Sequence, residues 1–449
     1  MQLTLEEGNS SRQLKGVSID SRTIKPGELF VPLKGEHTDG HNFLKEVKAR
    51  KAGAALVRNN FPSRRIPPGL PFIRVKSPLK ALGAMARHYR LKFDIPVIAI
   101  TGSCGKSTVK EMVAAILFTK FRGLKSEGNF NNELGLPLTL FRLKEEDQVA
   151  VLEMGMNRPG EIAYLTRISE PSIGLITNIN PVHLEGLASL RGISRAKEEL
   201  LLNLPRGARA ILNYDDPYLR KMGERFRGEV LTFGLEKGAD FRATEIRESG
   251  GALSFYLNEK EKFFLPLLGR ANVYNALAAI AAASLFDISF KKMRQALRNI
   301  KSLPQRLEIA EIGGLKIIND TYNANPASYR LAVDSLISLG GKGRLIVVAG
   351  DMLELGRLSA RAHYELGYYI GKKGIDFLIT LGAWQKKIRE GAGRARMKKE
   401  NIFLASSPGE AATILLNMAR PCDKILFKAS RKIGLERAVN VLSSSLSSL

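Results

Sequence analysis

The chain has 449 residues, of which 44% are apolar and 25% charged, and its 69 Lys and Arg outnumber 44 Asp and Glu to leave a formal charge of +25. That balance excludes a disordered chain, a collagen-like fibre and a disulfide-stapled mini-protein, and the length suits about two to four domains of ordinary size. Cys104 and Cys422 are the only cysteines, which argues against a disulfide framework and for a reducing compartment. The opening MQLTLEEGNS lacks a basic stretch followed by an apolar core, so no signal peptide is expected. The longest apolar stretch falls within residues 276–286, shorter than the roughly 18 residues of a membrane span. A cytoplasmic protein without a membrane span is expected.

Residues 1–93 read as a small α/β module with a Pro-rich connection, PSRRIPPGLP (62–71). From Pro96 onward, apolar β-branched runs alternate with amphipathic stretches, as a parallel sheet covered by helices requires. PVIAIT (96–101), QVAVLEM (148–154), SIGLITN (172–178) and ARAILN (208–213) are strands. Helices are expected near 107–120, 160–168 and 189–204. FRATEI, ALSFYL and KFFLPL read as antiparallel strands before an Ala-rich helix over about 270–286. A second alternating series follows: RLIVVAG (344–350), DFLITLG (376–382), NIFLA (401–405) and KILFKA (424–429). It predicts a doubly wound, Rossmann-like unit. Three domains are therefore expected over 1–93, 94–303 and 304–449, carrying +11, +5 and +9.

No Asp or Glu falls between Val47 and Phe93, although Lys and Arg recur throughout that stretch. Such a field favours anionic partners, whether nucleic acid, phospholipid or a small phosphorylated substrate, or else it is a solvated basic surface. Zinc-finger spacing and RNP-type aromatics are missing, and there is a single Trp, which counts against nucleic acid.

The most informative motif is T-G-S-C-G-K-S-T over 101–108, between a strand and a helix. Unpaired amides and the positive dipole end at a helix start attract anions, and glycines let the backbone approach phosphate oxygens. Lys106 can reach the β- and γ-phosphates and Ser107 can ligand Mg²⁺. The G-x-x-G-K-S spacing is shorter than that of most phosphate loops. Cys104 is a spacer in it, although the helix dipole can make its thiol prone to alkylation. Glu153, closing QVAVLE, stands where a metal-binding carboxylate is needed. A basic P-loop ATPase acting on nucleic acid remains an alternative at this point.

TGSCGKST, GNFNNELGLPLTL (128–140), LEMGMNRPGEI (152–162), TNINPVHLEG (177–186) and RAKEEL (195–200) together resemble the Mur ligases of peptidoglycan synthesis. The likeness extends to SIDSRTIKPGELFVPLKGEHTDGHNF (18–43) and KASRKIGLERAV (428–439), and so covers nearly the whole chain. NNELGLPLTL, DTYNANPAS (320–328) and AGDMLELG (349–356) are most similar to the branch that adds D-alanyl-D-alanine to UDP-N-acetylmuramoyl-tripeptide. The branch that adds the third amino acid usually carries Asn-Pro-Arg; here Asn325-Pro326 precedes Ala327.

The resemblance implies a monomeric ATP- and Mg²⁺-dependent ligase working through an acyl phosphate. It assigns Gly102, Ser103, Cys104, Gly105, Lys106, Ser107 and Thr108 to ATP, with Ser107 and Glu153 holding one metal. His183 and Lys197 are the candidates for a second, Lys197 after N-carbamylation. On sequence chemistry alone, a helical Lys followed by two Glu reads as a solvated face. Asn272 and Asn275, in a segment where Ala271 replaces a family histidine, are implied adenine contacts. An N-cap is the structural alternative. Arg306 and Asp320 would meet ATP from the C-terminal domain, so that closure completes the site. Ser21 and Arg22 would belong to the uridine-diphosphate pocket, and Asn131 and Asn132 to its central-domain edge. Asn323 and Asn325 would face the dipeptide, a Pro-terminated turn being the alternative. Lys428 and Arg431 would lie near the incoming amine, with Ala429 replacing a family glycine.

Overall fold

A computed structural model describes residues 4–7, 14–35, 37–181 and 189–446. The described strands form three sheets in succession along the chain. In the first, Val17–Ser18, Leu29–Phe30, Ala54–Arg58 and Phe72–Val75 pair in parallel, and Thr4–Glu7 joins the last of them antiparallel. The helix Pro78–Arg90 follows, with Ser77 capping its first turn. Near its end the buried Arg90 donates to the carbonyls of Ser169, Phe93 and Ile95. One guanidinium thus staples the first module and its exit segment to the second.

The second sheet has nine strands among the described residues, with Gly123–Lys125 at one edge in parallel beside Val149–Glu153. Val97–Thr101 lies between Val149–Glu153 and Ile173–Ile176 in parallel register. Its β-branched residues are buried on both faces, as a helix-covered parallel strand demands. Arg209–Asn213, Val230–Gly234 and Phe241–Ser249 extend it in parallel, and Ala252–Leu257 and Glu261–Leu265 close it antiparallel. The Ala-rich helix Ala271–Ser284 packs against Lys106–Leu117 and is buried at almost every position. Small side chains all round let it lie close to both neighbours, which a bulkier amphipathic helix could not do.

In the third sheet Leu315–Asp320, Lys424–Lys428, Leu345–Ala349, Phe377–Leu381 and Ile402–Ala405 run parallel, with Glu308–Ile312 antiparallel at one edge. The second and third sheets both end in polar residues. Thr101, Glu153 and Asn213 close strands of one; Asp320 and Lys428 close strands of the other. The carboxyl edge of an open α/β sheet is where ligands bind. No helix among the described residues is long and apolar enough to cross a membrane.

Candidate active site

A cleft of about 1020 Å³ runs between these two carboxyl edges. It is lined from one side by the 103–108 loop, Glu153, Asn272 and Asn275, and from the other by Arg306, Asp320, Lys428 and Arg431. The two sides touch. Arg306 donates to Ser107 Oγ at 3.2 Å, and Asn325 Nδ2 to Cys104 Sγ at 3.4 Å.

The loop is braced from beneath by the segment after Ile173–Ile176, which sequence reasoning did not single out for this purpose. Ser103 N donates to the Asn178 carbonyl, Cys104 N to Asn178 Oδ1, and Ser103 Oγ to the Asn180 carbonyl. Thr177 Oγ1 and Asn178 Nδ2 both donate to the Cys104 carbonyl. The T-N-I-N run was the available signal, since hydroxyl and amide side chains can satisfy a loop backbone. The helix Lys106–Leu117 follows Gly105, an N-cap residue with no side chain to cap it, which favours an anion at its first amides.

Two glycines make this geometry possible. Gly102 has φ +147°, and a Cβ there would lie 1.9 Å from Thr177 Oγ1. Gly105 has φ +85°, and its Cβ would lie 2.4 Å from Asn275 Oδ1. Gly105→Ala is therefore expected to cost about 1 kcal/mol for the left-handed backbone alone. It should also displace Asn275, lowering the melting temperature and weakening ATP affinity. A variant that melts and binds like the parent would show that the loop tolerates a side chain here.

Lys106 folds back so that Nζ donates to the Gly102 carbonyl at 2.9 Å. Loss of water pushes its amine below the ordinary lysine value, with Glu153 opposing that shift. Glu153 is buried; Oε1 accepts from Asn131 Nδ2 at 2.8 Å, whereas Oε2 has no hydrogen-bond partner among the described residues. Asn131 thus orients the carboxylate, and the neighbouring Asn132 caps Leu134 and Gly135.

Lys197 corrects the solvated-face reading. It sits in the helix Leu190–Leu202 at 2% exposure. Burial, then the nearby Lys106 cation, holds its amine well below the ordinary value. Its two acidic neighbours are used elsewhere: Glu198 pairs with Arg225, and Glu199 accepts from the amides of Gly160 and Ala163. Once Glu199 faces the start of the helix Glu161–Ser169, the helical turn carries Lys197 inward. His183 lies outside the described residues.

Asn272 is not the N-cap; it is the second residue of Ala271–Ser284. Its Nδ2 donates to the Leu268 carbonyl while its Oδ1 accepts from Asn275. Asn325, in contrast, caps Pro326–Ser338 in a capping box with Ser328, so much of its amide is already engaged. Asn323 Oδ1 accepts from the Ala324 amide. Lys428, almost fully buried, forms an ion pair with Asp320 and donates to the Asn323 carbonyl. Asp320 Oδ1 also accepts from Leu307 N at 3.2 Å. Ala429 has an ordinary backbone, and the bare Gly350 opposite makes room for its methyl group, since a Cβ on Gly350 would lie 2.7 Å away.

Ser21 and Arg22 are not brought into this cleft. Ser21 is buried and donates to Glu46 Oε2 at 3.1 Å, and the exposed Arg22 is held in a fork by Asp20. That pairing depresses the Asp20 carboxyl to about 2.

Three family models match the chain: "Mur ligase family, catalytic domain" over residues 13–90, "Mur ligase middle domain" over 100–283 and "Mur ligase, glutamate ligase domain" over 305–431. The UDP-N-acetylmuramoyl-tripeptide–D-alanyl-D-alanine ligase of Bacillus subtilis is 38% identical, the alignment covering 96% of this chain and 94% of that protein. The chain belongs to the Mur ligase family. The enzyme of the same description from Escherichia coli is 35% identical over 96% and 94% of the two chains. Among solved structures, MurF from Acinetobacter baumannii superposes with a TM-score of 0.88 at 31% identity, covering 96% and 94%. MurF from Thermotoga maritima in complex with ADP gives 0.85 at 28%, covering 96% and 98%. The three-domain α/β organisation of a Mur ligase accounts for the three successive sheets and for a cleft built between the second and third.

Proposed function

We propose that this Mur ligase joins D-alanyl-D-alanine to UDP-N-acetylmuramoyl-tripeptide in an ATP-dependent amide synthesis in the cytoplasm. The observation that carries the reading is the convergence of the phosphate loop, Glu153, Arg306, Asp320, Lys428 and Arg431 on one cleft of a single chain, within a sequence 38% identical to such a ligase. Since every one of these residues comes from one chain, a monomer is sufficient.

A peptide carboxylate is a poor electrophile. Phosphorylation by ATP makes an acyl phosphate, the dipeptide amine attacks the acyl carbon, and inorganic phosphate leaves from the tetrahedral adduct. Phosphoryl transfer is catalysed mainly by positioning and charge stabilisation. Lys106 and the uncapped amides of Lys106–Leu117 would hold the phosphates, with Arg306 reaching the same region from the third sheet. Mg²⁺ fits the donors present, because Glu153 Oε2 is buried without a partner among the described residues and Ser107 Oγ lies in the same cleft. Ser107 and Glu153 would hold it, and it would supply positive charge against the phosphate oxygens. Asn272 and Asn275 would meet the base, and Lys428 and Arg431 would receive the incoming dipeptide. Ser21 and Arg22, on the first module, are left to the uridine diphosphate.

The decisive experiment measures ADP release from purified protein with and without UDP-tripeptide, comparing D-Ala-D-Ala with single amino acids and including a chelator control. Release that requires both the nucleotide sugar and the dipeptide supports the reading. A preference for a single amino acid would move the chain to the branch that adds the third residue. Stimulation by polynucleotide, steeply weakened by salt, would replace it with a nucleic-acid ATPase.

A further inference from the structure

Tyr322 belongs to the D-T-Y-N-A-N-P run, between Asp320 and Asn323, and was given no role from sequence. Its ring lines the cleft beside two guanidiniums. Arg306 lies 4.1 Å from its centroid and Arg431 5.0 Å. These arginines come from chain segments far apart in sequence. Arg306 follows the connection into the third sheet and donates to Ser107 of the phosphate loop. Arg431 follows Lys424–Lys428.

The backbone that carries the ring is held in place. Tyr322 N donates to the Gln305 carbonyl at 3.1 Å, and Leu307 N donates to Asp320 Oδ1. The backbone on both sides of Arg306 is thereby tied to the segment that carries the ring. Two guanidiniums converging on one cleft repel each other, and long arginine side chains have many rotamers. An aromatic face attracts both and restricts both.

We infer that Tyr322 is a positioning residue that orients Arg306 toward the phosphate loop and Arg431 toward the amine-binding side, so that one ring serves both halves of the reaction. The inference rests on the ligase reading for what the two arginines bind. It does not rest on it for their attachment to the ring.

The test compares Tyr322→Phe and Tyr322→Leu in the full-length enzyme, with steady-state kinetics in ATP and in D-Ala-D-Ala and calorimetric binding of ADP. Phenylalanine keeps the ring and should stay within about twofold of the parent, whereas leucine should raise KM for ATP and for the dipeptide by about fivefold to tenfold each. A double-mutant cycle supplies the readout that a merely structural role would not move. In an Arg306→Ala background, Tyr322→Leu should add nothing further to the loss of ADP affinity, because the group through which it acts is gone. Penalties that multiply in that background, or a leucine variant indistinguishable from the parent, would overturn the inference. So would a phenylalanine variant as impaired as leucine. ADP binding reads the Arg306 half without acceptor substrates, so a parent enzyme that binds ADP yet forms no amide bond would count against the ligase reading alone.

Discussion

Lys106→Ala should abolish substrate-dependent phosphate release, lowering kcat by at least about a thousandfold, while leaving the melting temperature unchanged. The size follows from what is removed. A cation held at the start of a helix in a water-poor cleft acts on charge that shifts during phosphoryl transfer, and preorganised groups of this kind each contribute about a hundredfold to a thousandfold or more. The unchanged stability follows from the partner. Lys106 Nζ donates to the Gly102 carbonyl, a bond whose modest net value is offset by the cost of taking an amine out of water. Phosphate release at saturating UDP-tripeptide and dipeptide, alongside thermal melting, checks both halves. Turnover equal to the parent's would remove the phosphate loop from the mechanism.

The second large effect is expected at Lys197. It is buried near Lys106, and its amine is held well below the ordinary lysine value by loss of water and then by its neighbour's charge. Two ammonium groups so placed are unfavourable, and the lowering favours the neutral amine, which is the nucleophile in carbamylation. In that reaction its nitrogen would attack the carbon of CO₂, an N–C bond would form and a proton be released, and the amine would become an anion able to hold metal. Lys197→Ala should therefore lose at least about a hundredfold in kcat, as expected for a group that fixes charge at a reacting phosphate. The parent enzyme should slow in CO₂-stripped buffer and recover on addition of bicarbonate, and the alanine variant should respond to neither. A fully active parent whose Lys197 carries no label after incubation with labelled bicarbonate would defeat the modification while leaving the ligase reading untouched.

Much of this architecture was legible because a buried parallel strand needs an unbroken β-branched run, and VIAIT, VAVLE and LIVVA have nothing else to become. The turn over 101–108 between a strand and a helix was legible for a related reason, since glycines stand at its two left-handed or strained positions. Lys197 was not. A Lys-Glu-Glu run looks solvated until one knows that Glu199 is consumed by the start of a neighbouring helix, Glu161–Ser169, and tertiary partners of that kind leave no local trace. Asn325 shows the converse. Asn followed by Pro is a helix-start pair, and the side-chain oxygen is spent there. Tyr322 escaped notice because an aromatic residue in a polar loop gives no periodic signal, and its value lies in two arginines that only the fold brings to it.

Arg306 stands between Gln305 and Leu307, whose φ values of 61° and 47° lie in the left-handed region. Glycine would sit there with less effort, and each of these side chains forgoes about 1 kcal/mol by its presence. The turn is held by Tyr322 N, which donates to the Gln305 carbonyl, and by the Asp320 carboxylate, which accepts from Leu307 N; both holders belong to the last domain. It is therefore a splint set on one side of the joint: Arg306 travels with the last domain as a fixed finger, and a graft of that domain onto another scaffold would need to carry residues 305–307 along.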